Sequence, residues 1–362
     1  MRVKKLWTSV VVLGALITLG GTLNSQKVMA SSMRSYVKKT LEKGHLRGSV
    51  IVVKDGNAEQ ISVGYAKYKK RNNGSKKVVY PLGSLQKVVT GAMVTQLIYQ
   101  KKFSQNTKIS RWYPSMRNAS KITVGQLMTH TSGINVVGTE SSHGRKFSEA
   151  GAINWVVSQV NRSRRYGVNQ FNYNNANYIL LAGIIRKVTH KSYASNLKSR
   201  IVKPLHLHQT YIYGKFPKKI LAATSYLYRY GKNYQSPVNI NGYAMSQMVG
   251  AGNLCSSPAD YYKIMCGLTN GKILTKKQYN YMTHLDSKRS TYSGGLYAKK
   301  SGKLKLAYGN CGDTHFANWM QITGDNQNGI VMFLNQSGGK NHNKSVGYKI
   351  LNHIKTSTFL KN

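Results

Sequence analysis

Ser84-Leu85-Gln86-Lys87 sets a hydroxyl and an amine three residues apart, and the reading of the whole chain turns on this stretch. On a helix, residues i and i+3 share a face, with Cβ atoms roughly 5–6 Å apart. A lysine so placed takes the serine's proton, provided that burial or a cationic neighbour keeps its amine neutral. The spacing alone is weak evidence, because it recurs at Ser35/Lys38, Ser195/Lys198 and Ser337/Lys340. Context separates Ser84. It follows the apolar and aromatic residues Val78, Val79, Tyr80 and Leu82, and then Gly83. It also opens a segment in which Leu85, Val88, Val89, Ala92, Met93, Leu97 and Ile98 recur at helical spacing, which predicts an amphipathic helix. A nucleophile in the first turn of such a helix lies at the positive end of its dipole, beside N–H groups without intrahelical partners.

Outward from this point the chain alternates in type. Upstream, Met33–Lys43 reads as a short helix and Gly48–Lys54 as a strand. Asp55-Gly56 is a hairpin turn signal, and Ile61–Ala66 reads as the returning strand. From Ser84 to about Tyr281 helical patterns dominate, broken by Gly, Asn and Ser loops. Strands return at Gly295–Tyr297, Lys303–Tyr308, Trp319–Thr323 and Ile330–Leu334, with Asp325–Gly329 as the last turn and Lys344–Ile354 as a closing helix. Strands at both ends with helices between predict an α/β chain of the α+β type. Its antiparallel sheet is built from the N- and C-terminal segments (residues 31–83 and 285–362) and flanked by helices. A mostly helical domain (residues 84–284) is inserted between them.

Residues 1–30 read as a signal peptide. Met1–Lys5 is a basic n-region, Leu6–Leu23 is mostly apolar, and Val28-Met29-Ala30 is a small-residue cleavage site. The alternative is an uncleaved anchor, because Leu6–Leu23 approaches the ~20 residues that span a bilayer. Thr8, Ser9, Thr18, Gly20, Gly21 and Thr22 interrupt it and favour cleavage after Ala30. The expected location is secreted or bound to the cell envelope. With 54 Lys+Arg against 9 Asp+Glu, the net charge is +45. Such a charge bears on partners rather than on fold. An exported protein with scattered cations points away from nucleic acid and toward an anionic wall polymer or membrane surface, or else to a lineage whose secreted proteins are all basic. Three cysteines (Cys255, Cys266, Cys311) leave at least one thiol unpaired and exclude a disulfide scaffold. No metal site or cofactor is expected, since acids are few and neither H-E-x-x-H nor C-x-x-C occurs.

Two further motifs follow Ser84 in order. Tyr173-Asn174-Asn175 offers Y-x-N directly before a helical pattern at Ile179–Val188. A tyrosine phenolate, or a phenol sharing a proton with Lys87, can shuttle protons to a leaving group and activate water, while the Asn175 amide orients a carbonyl. Gly309-Asn310-Cys311-Gly312-Asp313 lies at a strand edge, where Gly312 lets a substrate approach the backbone and the Asp313 N–H pairs with that of Ser84 as an oxyanion hole. Taken together, the chain resembles the serine β-lactamase and penicillin-binding-protein superfamily, in its class C-like and esterase branch, over roughly residues 47–355. Leu127–Ile134, Phe171–Tyr178, Lys203–Thr210 and Gly250–Leu254 carry the same resemblance. It implies Ser84 as the acylated nucleophile, Lys87 as its proton acceptor, Tyr173 as the partner acid/base and Asn175 as a substrate-orienting amide. The family's K-T-G or H-x-G motif falls on Asn310-Cys311-Gly312, where Asn310 replaces the usual cation and weakens recognition of a substrate carboxylate. His130, in Thr129-His130-Thr131-Ser132-Gly133, is read as structural rather than catalytic.

The expected function is an exported serine acyl hydrolase acting through an acyl–serine intermediate. Its expected substrates are D-alanyl esters or D-alanyl peptides of wall polymers, including peptidoglycan fragments. The rivals are a D-Ala-D-Ala carboxypeptidase or weak β-lactamase, and a non-catalytic wall-binding protein with a degenerate site.

Overall fold

The computed structural model describes residues 32–163, 167–285 and 290–354. The export segment and cleavage site read at residues 1–30 lie outside them. Arg47–Lys54 turns at Asp55-Gly56 into Asn57–Val63, with Lys54 opposite Asn57. Both turn residues have positive φ (49° and 78°), the pattern whose twist matches that of the paired strands. On its other edge Arg47–Lys54 pairs antiparallel with Gly329–Gln336, so the N-terminal hairpin completes a sheet begun by the C-terminal strands. The order across that sheet is Tyr292–Ser293, Leu296–Lys299, Leu304–Asn310, Ala317–Thr323, Gly329–Gln336, Arg47–Lys54, Asn57–Val63. The fold is therefore α/β, with an antiparallel sheet from both ends of the chain flanked by helices, as the sequence predicts.

Alternation along each strand divides the core in two. Val50, Val52, Trp319, Ile330 and Met332 face the helices of residues 32–43 and Lys340–Ile354. Ile51, Val53, Met320, Val331 and Phe333 face the larger helical body. Covered on both faces, Gly329–Gln336 is buried at every position.

Two features of the middle differ from the sequence pattern. The helix Lys87–Tyr99 is not amphipathic but buried on all sides from Lys87 to Thr95, because it packs between the helices Asn175–Thr189 and Lys276–Thr283 and against the turn at Gly294-Gly295. Ser84 precedes it in a 3₁₀ turn, Gly83–Gln86, where side chains at i and i+3 eclipse and bring Ser84 over Lys87. The middle also holds the short strands Thr210–Ile212, Leu221–Ala222 and Leu254–Ser256, which sandwich Val78–Pro81 into a second small sheet. Ser225–Arg229 and Lys232–Val238 extend the main sheet instead.

The sheet meets the Ser84 turn and the helix after it at glycine. A Cβ on Gly309 would stand 2.1 Å from the Leu82 carbonyl oxygen, and one on Gly295 would stand 2.2 Å from the Val88 nitrogen. Only glycine allows strand and turn to approach this closely.

Candidate active site

Lys87 is fully buried and its Nζ reaches three oxygens: Ser84 Oγ at 2.9 Å, Asn175 Oδ1 at 2.8 Å and the Ala251 carbonyl at 2.9 Å. Burial lowers its pKa from 10.5 to about 7, against an opposing pull from Glu140. An ammonium has three hydrogens and can serve all three oxygens. The neutral amine keeps two for Asn175 and Ala251 and turns its lone pair to Ser84, whose hydroxyl then donates. In that form the Ser84 hydroxyl proton is the one placed to pass to Lys87.

Each partner is held from elsewhere in the chain. Gly250–Leu254 is fastened to the Ser84 turn and the helix that follows it. Gln86 Nε2 donates to Asn253 Oδ1 (3.0 Å), the Leu254 N–H donates to Gln86 Oε1 (2.8 Å), and Thr90 donates to the Gly250 carbonyl (2.6 Å). Asn175 opens the helix Asn175–Thr189, capped by Asn174, whose side chain accepts the Ala176 N–H at 3.0 Å. His130 fixes this helix start. Its Nδ1 accepts from the Asn174 N–H (3.2 Å) and the Asn177 amide (2.9 Å), and its carbonyl accepts from the Asn172 N–H (2.8 Å). Burial and the nearby Lys87 push the His130 pKa well down, so the ring is neutral and braces the Y-x-N segment.

The Tyr173 ring lies 5.0 Å from Lys87 Nζ. One edge of the ring is open, with the residue 38 % exposed, while its hydroxyl is packed beside Ser84. Burial raises its pKa above the usual phenol range, and the Ser84 contact only partly offsets that. Tyr173 is accordingly a protonated phenol rather than a phenolate at neutral pH.

Ser84, Glu140, Tyr173, Tyr297, Tyr308 and Asn310 line a cleft of about 260 Å³. Asn310 is exposed at the end of Leu304–Asn310, and its backbone packs against Gly83. Gly312 borders an adjoining hollow and faces Glu140. Asp313 lies in the exposed turn beyond the strand, at φ 56°, and lines neither cavity. The strand residues that meet the Ser84 turn are Gly309 and Asn310, three or four positions earlier than the expected oxyanion donor. Burial raises the Cys311 thiol to about 12, helped by Glu140, which keeps it protonated and unsuited to nucleophilic attack.

Sequence reasoning missed two members of this site. The Ala251 carbonyl belongs to Gly250–Leu254, a stretch that carries the resemblance, but as a backbone group its role leaves no mark in the side chains. Glu140 sits in an irregular loop, and its Oε1 accepts from Asn175 Nδ2 at 2.6 Å. Among the described residues, no cluster of three or more His, Cys, Asp or Glu is placed to hold a metal ion, and no helix is long and apolar enough to cross a membrane.

A family model described as Beta-lactamase matches residues 33–353. A teichoic acid D-alanine hydrolase of Staphylococcus aureus (strain NCTC 8325 / PS 47) is 29% identical over 291 residues, covering 76% of this chain and 71% of that protein. The crystal structure of FmtA from Staphylococcus aureus superposes with a TM-score of 0.72 at 26% identity, covering 89% of this chain and 87% of that one. The D-amino acid amidase of Ochrobactrum anthropi SV3, at 20% identity, shares the fold with a TM-score of 0.75 over 91% of this chain and 99% of its own. The chain belongs to the β-lactamase family, and it is a serine hydrolase.

Proposed function

We propose that this protein is exported and removes D-alanyl groups carried as esters on an anionic polymer of the cell wall, through a covalent acyl–Ser84 intermediate. The observation that carries the reading is the Ser84 Oγ–Lys87 Nζ contact of 2.9 Å, made by an amine whose pKa burial lowers to about 7. Ser84 attacks the ester carbonyl as its proton passes to Lys87, forming a C–O bond to the serine. The proton then goes, by way of Tyr173, to the departing polymer hydroxyl as the original ester bond breaks. Water attacks the acyl-enzyme with Lys87 again taking a proton, and D-alanine leaves as Ser84 regains its hydrogen. The oxyanion rests against the Ser84 N–H in the 3₁₀ turn, a group without an intrahelical partner.

Esters are favoured over peptides ending in a free carboxylate by the lining of the cleft. Asn310 stands where a cation would hold such a carboxylate, and no Lys, Arg or His lines the cleft among the described residues. The similarity to a teichoic acid D-alanine hydrolase supports the same choice. Surface charge supports the choice of polymer, because a chain of net charge +45 concentrates on a polyanion.

The test is incubation of the purified protein with D-alanylated wall polymer, measuring free D-alanine, alongside fluorophosphonate labelling and mass analysis. Release of D-alanine with the adduct on Ser84, and loss of both in Ser84→Ala, is the expected result. Cleavage of D-Ala-D-Ala peptide with no release from polymer would replace this reading by the carboxypeptidase. Neither turnover nor labelling would replace it by a wall-binding protein.

A further inference from the structure

We propose that Glu140 is a specificity residue that receives the free α-ammonium group of the substrate's acyl part. The inference rests on the acyl-ester reading above and names the chemical class that the site selects: esters of an amino acid whose amine is unblocked.

Four observations converge on this carboxylate. Glu140 lines both the cleft that holds Ser84 and the adjoining hollow, and it is the one charged side chain lining either among the described residues. It does so in a chain with 54 Lys+Arg and only 9 Asp+Glu, where a cation-free cleft with an acid in its lining runs against the composition. Its partners are neutral. Oε1 accepts from Asn175 Nδ2 at 2.6 Å, and no Lys, Arg or His among the described residues comes within ion-pair distance. By contrast, Glu59 and Glu149 pair with Arg34 and Arg186. Finally, Oε2 points at Gly312, lying 3.2 Å from where a Cβ would be, so the absence of a side chain there keeps that oxygen open.

The placement suits an α-amino group. That nitrogen is two bonds from the carbonyl carbon that Ser84 attacks, so its binding group must be fixed relative to the nucleophile. Asn175 supplies the link, donating to Glu140 from one end of its amide and accepting from Lys87 at the other. Neutral Lys87, the form competent as base, also leaves the incoming ammonium unopposed. The exposed carboxylate offers a charge-assisted hydrogen bond, about twice as strong as a neutral one.

Two esters of the same alcohol test the proposal, one of D-alanine and one of N-acetyl-D-alanine, with kcat/KM measured for the full chain and for Glu140→Gln. Glutamine keeps an oxygen for Asn175 but removes the charge. The expected result is a fall of about tenfold in the preference for the free-amine ester, carried mainly by KM. Glu140→Lys should lower that preference further. An unchanged preference in both variants overturns the proposal, even if both rates fall, since a residue that only positions Asn175 treats the two esters alike. If the wild type hydrolyses neither ester and Ser84 is not acylated, the acyl-ester reading itself fails and takes this inference with it.

Discussion

Proton inventory gives the sharpest test of the site. Lys87 is faced by Ser84, Tyr173, Tyr178, His130 and Glu140. Burial holds Tyr173 and Tyr178 protonated and His130 neutral, so Glu140 is the charged neighbour. With its pKa lowered to about 7, half of the molecules carry the neutral base at pH 7. An amine of ordinary pKa would supply roughly one in three thousand. The assay is kcat/KM from pH 5 to 9 on an N-acetyl-D-alanyl ester, which carries no titrating amine. The rate should climb about tenfold per unit below pH 7 and level above it, so that pH 5 shows roughly one hundredth of the plateau. Glu140 raises the Lys87 pKa, so Glu140→Gln should move the midpoint to lower pH. Linkage adds a stability signature. The unfolded chain keeps this proton up to about 10.5 and the folded chain loses it above about 7, so Lys87 makes stability rise with pH between those values. Lys87→Met should remove that slope. A flat rate profile across this window, or a midpoint that rises in Glu140→Gln, would refute the argument that burial creates the base.

Lys87→Ala and Tyr173→Phe should each cost nearly as much activity as the double variant, because Ser84 sits between both groups and one relay serves each step; multiplicative losses in a double-mutant cycle would separate them. Gly309→Ala should push the added methyl onto the Leu82 carbonyl oxygen and displace the nucleophile turn. The expected cost is about 1–3 kcal/mol in thermal or denaturant unfolding, with a larger loss of kcat than of substrate binding. Asn310→His should raise kcat/KM on a D-Ala-D-Ala peptide about tenfold relative to a neutral ester; an unmoved ratio would mean that Asn310 is not the carboxylate position.

The parts of this molecule legible in the sequence are those whose signal is local. Gly48–Lys54 and Ile330–Leu334 announce strands by continuous β-branched and apolar runs, and a strand covered on both faces requires such runs. Ser84, Lys87 and the Y-x-N residues announce themselves because the chemistry needs those side chains at fixed spacing. The periodic apolar residues after Lys87 suggested one buried face, yet Thr90 and Thr95 are buried as well. Their hydroxyls are satisfied within the core, Thr90 by the Gly250 carbonyl and Thr95 by the Gly91 carbonyl, and polar residues so paired can be enclosed. The strands Thr210–Ile212, Leu221–Ala222 and Leu254–Ser256 are two or three residues long, too short to establish a period of two. Glu140 was illegible for a different reason. It meets Asn175 across 35 residues of sequence through a loop without periodicity, and only folding brings the pair together.

Charge is distributed in this protein as the proposed substrate requires. A D-alanylated polyanion presents phosphate along its backbone and an ammonium on each ester branch, so one molecule carries both signs. A cation inside the cleft would attract the backbone and leave the ester outside. Here the cations lie elsewhere, the cleft shows Asn310 and several tyrosines, and its charged side chain is the acid Glu140. Lys87, which reaches Ser84 from beneath, is fully buried and absent from the cleft lining, and burial lowers its pKa to about 7. On the proposed reading, the surface would draw the polymer through long-range attraction, while the cleft would repel its anionic groups and accept its ammonium branch. Burial that discharges Lys87 serves both ends at once: it makes the base that activates Ser84, and it removes a positive charge that would oppose the group Glu140 is placed to bind.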